Sequence, residues 1–175
     1  LGLLEAELEW SRQSQRSQAG FSLLGPVLPS VPDPRLNLNN QPWALPVVME
    51  GLTGTVRYER ALNNQWRWSA QLGSQRLETD DRMAYPFGCS AENNFDRYCS
   101  DGTFDVYDWR SEDERRRLDA AQLALKGKLA TGSVAHDLAF GVLASRVRNR
   151  FQPGPFNWVG VGNVQGTAVL PADPT

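Results

Sequence analysis

Hydrophobic and polar residues alternate strictly over residues 3–11, LLEAELEWS. Leu4, Ala6, Leu8 and Trp10 fall on one side of an extended chain, and Glu5, Glu7, Glu9 and Ser11 on the other. That two-residue period predicts a strand with one apolar and one wetted face. Residues 12–50 abandon it, and six of the eleven prolines fall between Pro26 and Pro46, so a long irregular excursion is expected. Alternation returns over 51–60, with Leu52, Gly54, Val56 and Tyr58 opposed to Thr53, Thr55, Arg57 and Glu59, and again over 66–77, with Trp66, Trp68, Ala70 and Leu72 opposed to Arg67, Ser69, Gln71 and Gln75. Between them, 61–65 is a short turn built on Asn63-Asn64, which tolerate positive φ, so the pair reads as a hairpin.

Residues 111–130 carry two patterns. Ser111-x-x-Glu114 is a capping box, and Leu118, Ala121, Leu125 and Leu129 lie at near-helical spacing, so propensity favours a helix. Ala121, Leu123, Leu125, Gly127 and Leu129 also recur at spacing two. The strand expected over 135–146, with Leu138, Phe140, Val142 and Ala144 on one face behind the turn at 130–133, needs a hairpin partner, and 118–129 is its adjacent candidate. Asn149 to Thr175, rich in Gly, Pro and Asn, reads as a further loop.

About five long strands thus alternate long and short connections, which places every long loop at one end of an up-and-down antiparallel sheet. An all-β fold of this kind matches part of a transmembrane β-barrel, with long extracellular loops and short periplasmic turns. Trp10, Tyr58, Trp66 and Trp68 sit toward strand ends, where interfacial girdles form. Glu5, Glu7, Glu9, Thr55, Arg57, Arg67, Gln71, Gln75, Lys126 and Lys128 would face a lumen. A soluble sandwich alternates too, but its loops seldom run so long.

Composition narrows this picture. A net charge of −2 argues against a nucleic-acid partner. No apolar run approaches 18 residues, so a membrane-spanning helix is excluded. Leu1 is not an initiator and 170–175 stops in turn-forming residues, so the chain is expected to be a piece of a longer one. The stretch Asp80–Trp109 holds both cysteines, seven aromatics and a dense set of Asp, Asn and Gly, which predicts a long loop pinned at its middle. Its cysteines, Cys89 and Cys99, are expected to form a disulfide in an oxidising compartment, since a zinc pair needs further ligands and the only histidine is the distant His136.

QPW at 41–43, RYERALNNQWRWSAQ at 57–71, DDRMAYPFGC at 80–89, FDRYCSDGTFDVYDWRSEDERRR at 95–117 and TGSVAHDLAFGV at 131–142 resemble the barrel portion of bacterial TonB-dependent siderophore receptors. The resemblance spans nearly all of 1–175 and implies transport rather than catalysis. Such receptors sit in the bacterial outer membrane, capture a ferric siderophore outside and import it with energy from TonB. It implies a strand over 118–129, and as partners a ferric siderophore, outer-membrane lipid, the receptor's own N-terminal plug and the TonB complex. No cofactor is implied, because the iron arrives as a chelate. No TonB box, plug or closing strand is seen in the sequence, and five strands cannot close a barrel whose minimum is about eight.

Chelates of mixed polarity are met by aromatic faces and cations. Candidate ligand-binding residues are therefore Trp43, Tyr85, Tyr107, Trp109, Arg82, Arg97 and Arg110, each of these arginines having an Asp within two positions. Phe87, Tyr98 and Phe104 are expected to pack the loop's own core. No catalytic or metal-binding residue is assigned. The spacing of Asp96, Asp101, Asp105 and Asp108 does not fit a calcium loop. Competing functions are a passive porin or adhesin segment, or a secreted carbohydrate-active protein using carboxylates such as Asp80, Asp105 and Asp108.

Overall fold

A computed structural model describes residues 2–31 and 33–175. It is all-β: six strands form one open antiparallel sheet, β1 (Gly2–Gln15), β2 (Leu45–Ala61), β3 (Trp66–Pro86), β4 (Thr103–Thr131), β5 (Val134–Arg150) and β6 (Phe156–Asn163). The first five are neighbours in sequence order, and β6 also pairs with β4. Strand, not helix, occupies 111–130. A lone helix there would lose the hairpin ladder from Arg115↔Arg150 to Thr131↔Val134, which satisfies the backbone residue by residue.

Two expectations are corrected. Five strands become six, because 156–163 is a strand rather than loop, and the first five strands run well past ten residues, to 29 in β4. Pro153 and Pro155 interrupt the ladder before β6 because neither has an N–H to donate. The β2–β3 turn does not use left-handed asparagines, since among described non-glycine residues positive φ occurs at Asn93 and Asp113. Instead the Asn63 side-chain carbonyl accepts from the backbone N–H groups of Gln65 (2.8 Å) and Trp66 (2.9 Å). The β4–β5 turn is Gly132-Ser133, with Gly132 at φ 62 as a two-residue hairpin requires.

The chain divides into two compact units, and β2, β3 and β4 each supply residues to both. The first unit comprises β1 up to Arg12, Glu50–Glu78 and Arg115–Arg150. It is a single sheet layer. Residues directly opposite share a face, so Leu123↔Val142, Leu125↔Phe140 and Ala121↔Ala144 place one apolar surface across β4 and β5. That surface is open to solvent: Leu8 is 77% exposed, Leu72 62%, Val142 62% and Phe140 58%. The opposite face carries Glu5, Arg57 and Glu59 in a chain of ion pairs (3.2 and 2.6 Å), Arg67 beside Glu59 (3.7 Å), Lys128 beside Asp137 (3.6 Å), and Gln75 donating to Thr53 (3.1 Å). Pairs this exposed contribute little each, so their value is in hydrating a charged surface.

Aromatics mark the end of this unit near the short turns. Tyr58 and Trp68 meet edge-to-face at 5.5 Å, and the Trp66 indole lies over Gly127. A Cβ on Gly127 would stand 2.2 Å from the ring, so only glycine accommodates the indole there.

The second unit comprises Gln13–Met49, Thr79–Glu114 and Phe151–Thr175. It has a true core, formed by Ala19, Leu38, Ala44, Ala84, Tyr98, Phe104, Val106 and Val159. Two buried amides in the proline-rich segment before β2, Asn39 and Gln41, tie their part of it to the rest of the unit. Asn39 accepts from Ala84 N–H (2.9 Å) and donates to Ser17 O (3.0 Å). Gln41 donates to Ala168 O (3.0 Å) and accepts from Leu170 N–H (2.7 Å).

Replacing Gly127 by Val should displace Trp66 and lower stability by about 1–3 kcal/mol. Denaturant unfolding followed by tryptophan emission measures this, and an unchanged midpoint would contradict the close packing.

Candidate functional site

The expected loop at Asp80–Trp109 is strand over about half its length, at its two ends. β3 continues to Pro86 and β4 begins at Thr103, so the irregular part is 87–102, and the Cys89–Cys99 disulfide closes it with Cα atoms 5.2 Å apart. Both cysteines are buried. Gly88 (φ 76) and Gly102 (φ 85) turn the chain at its two ends in the left-handed region. Cys89 and Asn94 exchange backbone hydrogen bonds (2.9 and 3.1 Å), and Glu92 accepts from the N–H (2.8 Å) and hydroxyl (3.2 Å) of Ser100. Asp101 accepts from Thr103 N–H (2.9 Å) and hydroxyl (2.7 Å), and these donors hold its carboxyl below the ordinary aspartate range.

Tyr98 and Phe104 pack the base of this loop, 2% and 1% exposed with ring centres 4.8 Å apart. The Tyr98 hydroxyl donates to Gly20 O (2.8 Å), and burial pushes its phenol pKa upward, so it remains a neutral donor. Phe87 behaves differently from the expectation that it joins this core. It is 39% exposed and belongs to an aromatic surface.

That surface is the most distinctive feature of the second unit. Across β4 and β6, Tyr107 opposes Trp158 and Trp109 opposes Phe156, so four aromatics occupy one face in two rows. Tyr107 and Phe156 stack in parallel at 4.4 Å, and Tyr85 and Phe87 from β3 and the following residue approach Phe156 at 5.9 and 6.5 Å. Phe156 and Trp158 keep 44% and 55% exposure. A surface of partly exposed, mutually braced rings can accept a flat or partly apolar ligand at little cost in side-chain entropy. The Tyr107 phenol pKa is raised, mainly by burial and further by Asp105, so it offers a neutral hydroxyl.

Buried carboxylates hold this surface from behind. Asp105 accepts from Ser90 N–H (2.7 Å), Ser90 hydroxyl (3.0 Å) and Trp158 Nε1–H (3.0 Å), which ties the disulfide loop to β6. Asp108, fully buried, accepts two bonds from Arg110 (2.8 and 3.0 Å) and one from Asp173 N–H (2.9 Å). Asp80, which is exposed, accepts from Asp113 N–H (2.7 Å), and Asp113 has a left-handed backbone within β4. All three are engaged structurally. Asp81 differs: among the described residues its buried Oδ1 has no hydrogen-bond partner, and desolvation raises its pKa despite donors from Arg82 and Ser17.

Of the predicted ligand-binding residues, the fold brings Tyr85, Tyr107 and Trp109 together and adds Phe87, Phe156 and Trp158. Trp43 lies elsewhere in the unit, packed on the core with its indole N–H donating to Leu170 O (3.0 Å). Arg82 is paired with Glu112, and Arg110, with a side chain only 10% exposed, is held by Asp108 and lies 3.8 Å from Glu112. Arg97 forms a two-point pair with its neighbour Asp96 (2.8 and 2.7 Å), which raises the one pKa and lowers the other. Phe156 and Trp158 were readable as period-two aromatics in FNWVGVG, but the flanking glycines and prolines mask that signal. Among described residues, Cys89, Glu92 and Cys99 form the one cluster with metal-ligand spacing, and both sulfurs are consumed by the disulfide.

Replacing both cysteines by serine should cost about 2–3 kcal/mol, the entropy regained by opening a ring of about eleven residues. Urea unfolding combined with limited proteolysis checks it. Cleavage within 90–98 should rise in the variant, and equal resistance would mean the hydrogen bonds alone hold the loop.

No protein-family model, curated protein or solved structure matches the chain.

Proposed function

We propose that this chain forms part of the wall of a bacterial outer-membrane β-barrel, a TonB-dependent receptor that binds a ferric siderophore and imports it. The observation that carries the membrane reading is the uncovered apolar face of the first unit. A single sheet layer must bury such a face against something. Lipid is the occupant that also explains the ion-paired opposite face, the aromatics beside the short turns, and a span from Ala121 to Leu129 close to the 9–11 tilted residues a membrane strand needs. The apolar face is lipid-facing and the charged face lines an aqueous lumen.

Substrate capture belongs to the aromatic surface of Tyr85, Phe87, Tyr107, Trp109, Phe156 and Trp158. Its stacked rings suit the aryl or alkyl parts of a siderophore, and the Tyr107 hydroxyl suits its oxygens. The protein need supply no iron ligand, since the metal is transported as a chelate. Energy would come through TonB and a plug domain, partners implied by the sequence resemblance.

Four outcomes are expected. Leu123→Arg, on the lipid face, should cost about 2–4 kcal/mol and deplete the protein from outer-membrane fractions. Gln122→Arg, one residue away on the other face, should assemble normally, and equal behaviour of the two would remove the membrane reading. Under iron limitation, a strain deleted for the full gene should fail to grow on at least one ferric siderophore. In the full-length receptor Tyr107→Ala should weaken binding of that siderophore about tenfold, equivalent to about 1.4 kcal/mol. Normal uptake of every chelate by the deletion strain would overturn the transport reading.

A further inference from the structure

Within the second unit, β3, the disulfide loop and β4 carry three arginines, and each is matched by a carboxylate. Arg82 is paired with Glu112, Arg97 with Asp96, and Arg110 with Asp108 while lying 3.8 Å from Glu112. No guanidinium group beside the rings is therefore left over to attract an anion. Asp105 is the opposite case. It is 3% exposed, and its three donors, the Ser90 N–H, the Ser90 hydroxyl and Trp158 Nε1–H, are all neutral. Among the described residues no cation pairs with it. A buried carboxylate with neutral donors keeps its negative charge in a region of low dielectric, where its field is screened least.

The rings stand over this charge. Trp158 is 55% exposed while its N–H edge rests on Asp105. Such a hydrogen bond to an anion shifts electron density toward the ring face, which is already the negative pole of the aromatic quadrupole. Tryptophan is the best of the aromatic side chains for a cation within about 6 Å of its face. Tyr107 lies opposite Trp158, and its phenol is held above the ordinary range mainly by burial and further by Asp105, so the same field reaches both rings.

The sign extends to the whole unit. Gln13–Met49, Thr79–Glu114 and Phe151–Thr175 together contain five arginines, no lysine and twelve Asp or Glu residues, a formal side-chain charge of −7. A surface of that sign concentrates cations near it and repels polyanions.

We propose that the ring surface is a cation site: the ferric chelate captured here is net positive and carries a free ammonium, which sits over the Trp158 indole with Asp105 behind it. Three hydroxamates cancel the charge of ferric iron, so a pendant ammonium leaves such a chelate cationic, whereas three catecholates leave it strongly anionic. The substrate class is therefore a hydroxamate chelate ending in a primary amine. The proposal rests on the transport reading above and narrows it from any ferric siderophore to one charge class.

The test uses the full-length protein in uncharged detergent and titration calorimetry with three ferric probes: a linear trihydroxamate with a terminal ammonium, the same chelate with that amine acetylated, and a tris-catecholate. The ammonium chelate should bind about tenfold more tightly than the acetylated one. Raising salt from about 0.02 M to about 0.5 M should weaken the ammonium chelate and leave the acetylated one unchanged. Trp158→Leu, at an exposed position, should level the two hydroxamates, and Trp158→Phe should keep an intermediate preference, because its ring is the weaker cation acceptor. Asp105→Asn should lower the preference too, and the Trp158 variants decide the matter if it does not fold. Binding of the ammonium chelate that is absent, or no tighter than that of either other probe, overturns the cation site, as does an unchanged preference in Trp158→Leu. If the deletion strain has nonetheless lost growth on a ferric siderophore, only the cation site falls; if the strain grows on every chelate, the transport reading falls and the cation site with it.

Discussion

The backbone ladder of β4 is the constraint on which the structure depends. Its 29 residues give Arg115–Thr131 to β5 and Thr103–Trp109 to β6, with β3 as its other neighbour. Because every residue in such a ladder is committed to a partner, register is decided once and then propagates to every side chain. A one-residue slip would exchange the Leu123, Leu125 and Phe140 face for that of Gln122, Lys126 and Lys128. The tight Gly132-Ser133 turn and the close seat of Trp66 on Gly127 oppose that slip at one end of the strand.

The two units solve the burial problem differently. The second encloses Tyr98, Phe104 and Val106 and engages its two most buried carboxylates internally, with Asp105 and Asp108 each accepting three hydrogen bonds. Removing one partner there would strand a buried acceptor, so these carboxylates are structural even though their residue type suggests chemistry. The first unit encloses almost nothing, and its apolar residues face outward from a single layer. In the proposed setting the hydrocarbon of the membrane does for this layer what a second sheet does for a soluble sandwich, and water or a plug does the same for its charged face.

The aromatic surface and the disulfide loop are coupled through one carboxylate. Asp105 holds Ser90 on one side and Trp158 on the other, so the loop closed by Cys89–Cys99 and the ring face of β6 share a support. Preorganisation of this kind keeps exposed rings in place before a ligand arrives, which lowers the ordering cost of binding.

Much of the architecture was legible in the residues themselves. The two faces of β1, β2, β3 and β5 follow from a period that any extended backbone imposes, and the short turns follow from residues such as Asn63 and Gly132 acting over two or three positions. The pairing of Cys89 with Cys99 was likewise a local inference. Tertiary structure alone decided what depends on partners distant in sequence. It made a strand of 156–163, where prolines and glycines argue for loop but β4 offers open hydrogen-bonding groups. It resolved 111–130 as strand against helical propensity, because pairing with β5 satisfies a long run of backbone groups. It gathered Tyr85, Tyr107 and Phe156 onto one surface and set Asp105 against the Trp158 indole. Side-chain period is a local property of the chain, whereas register between segments is a property of the whole sheet, and the candidate sites of this protein are products of register.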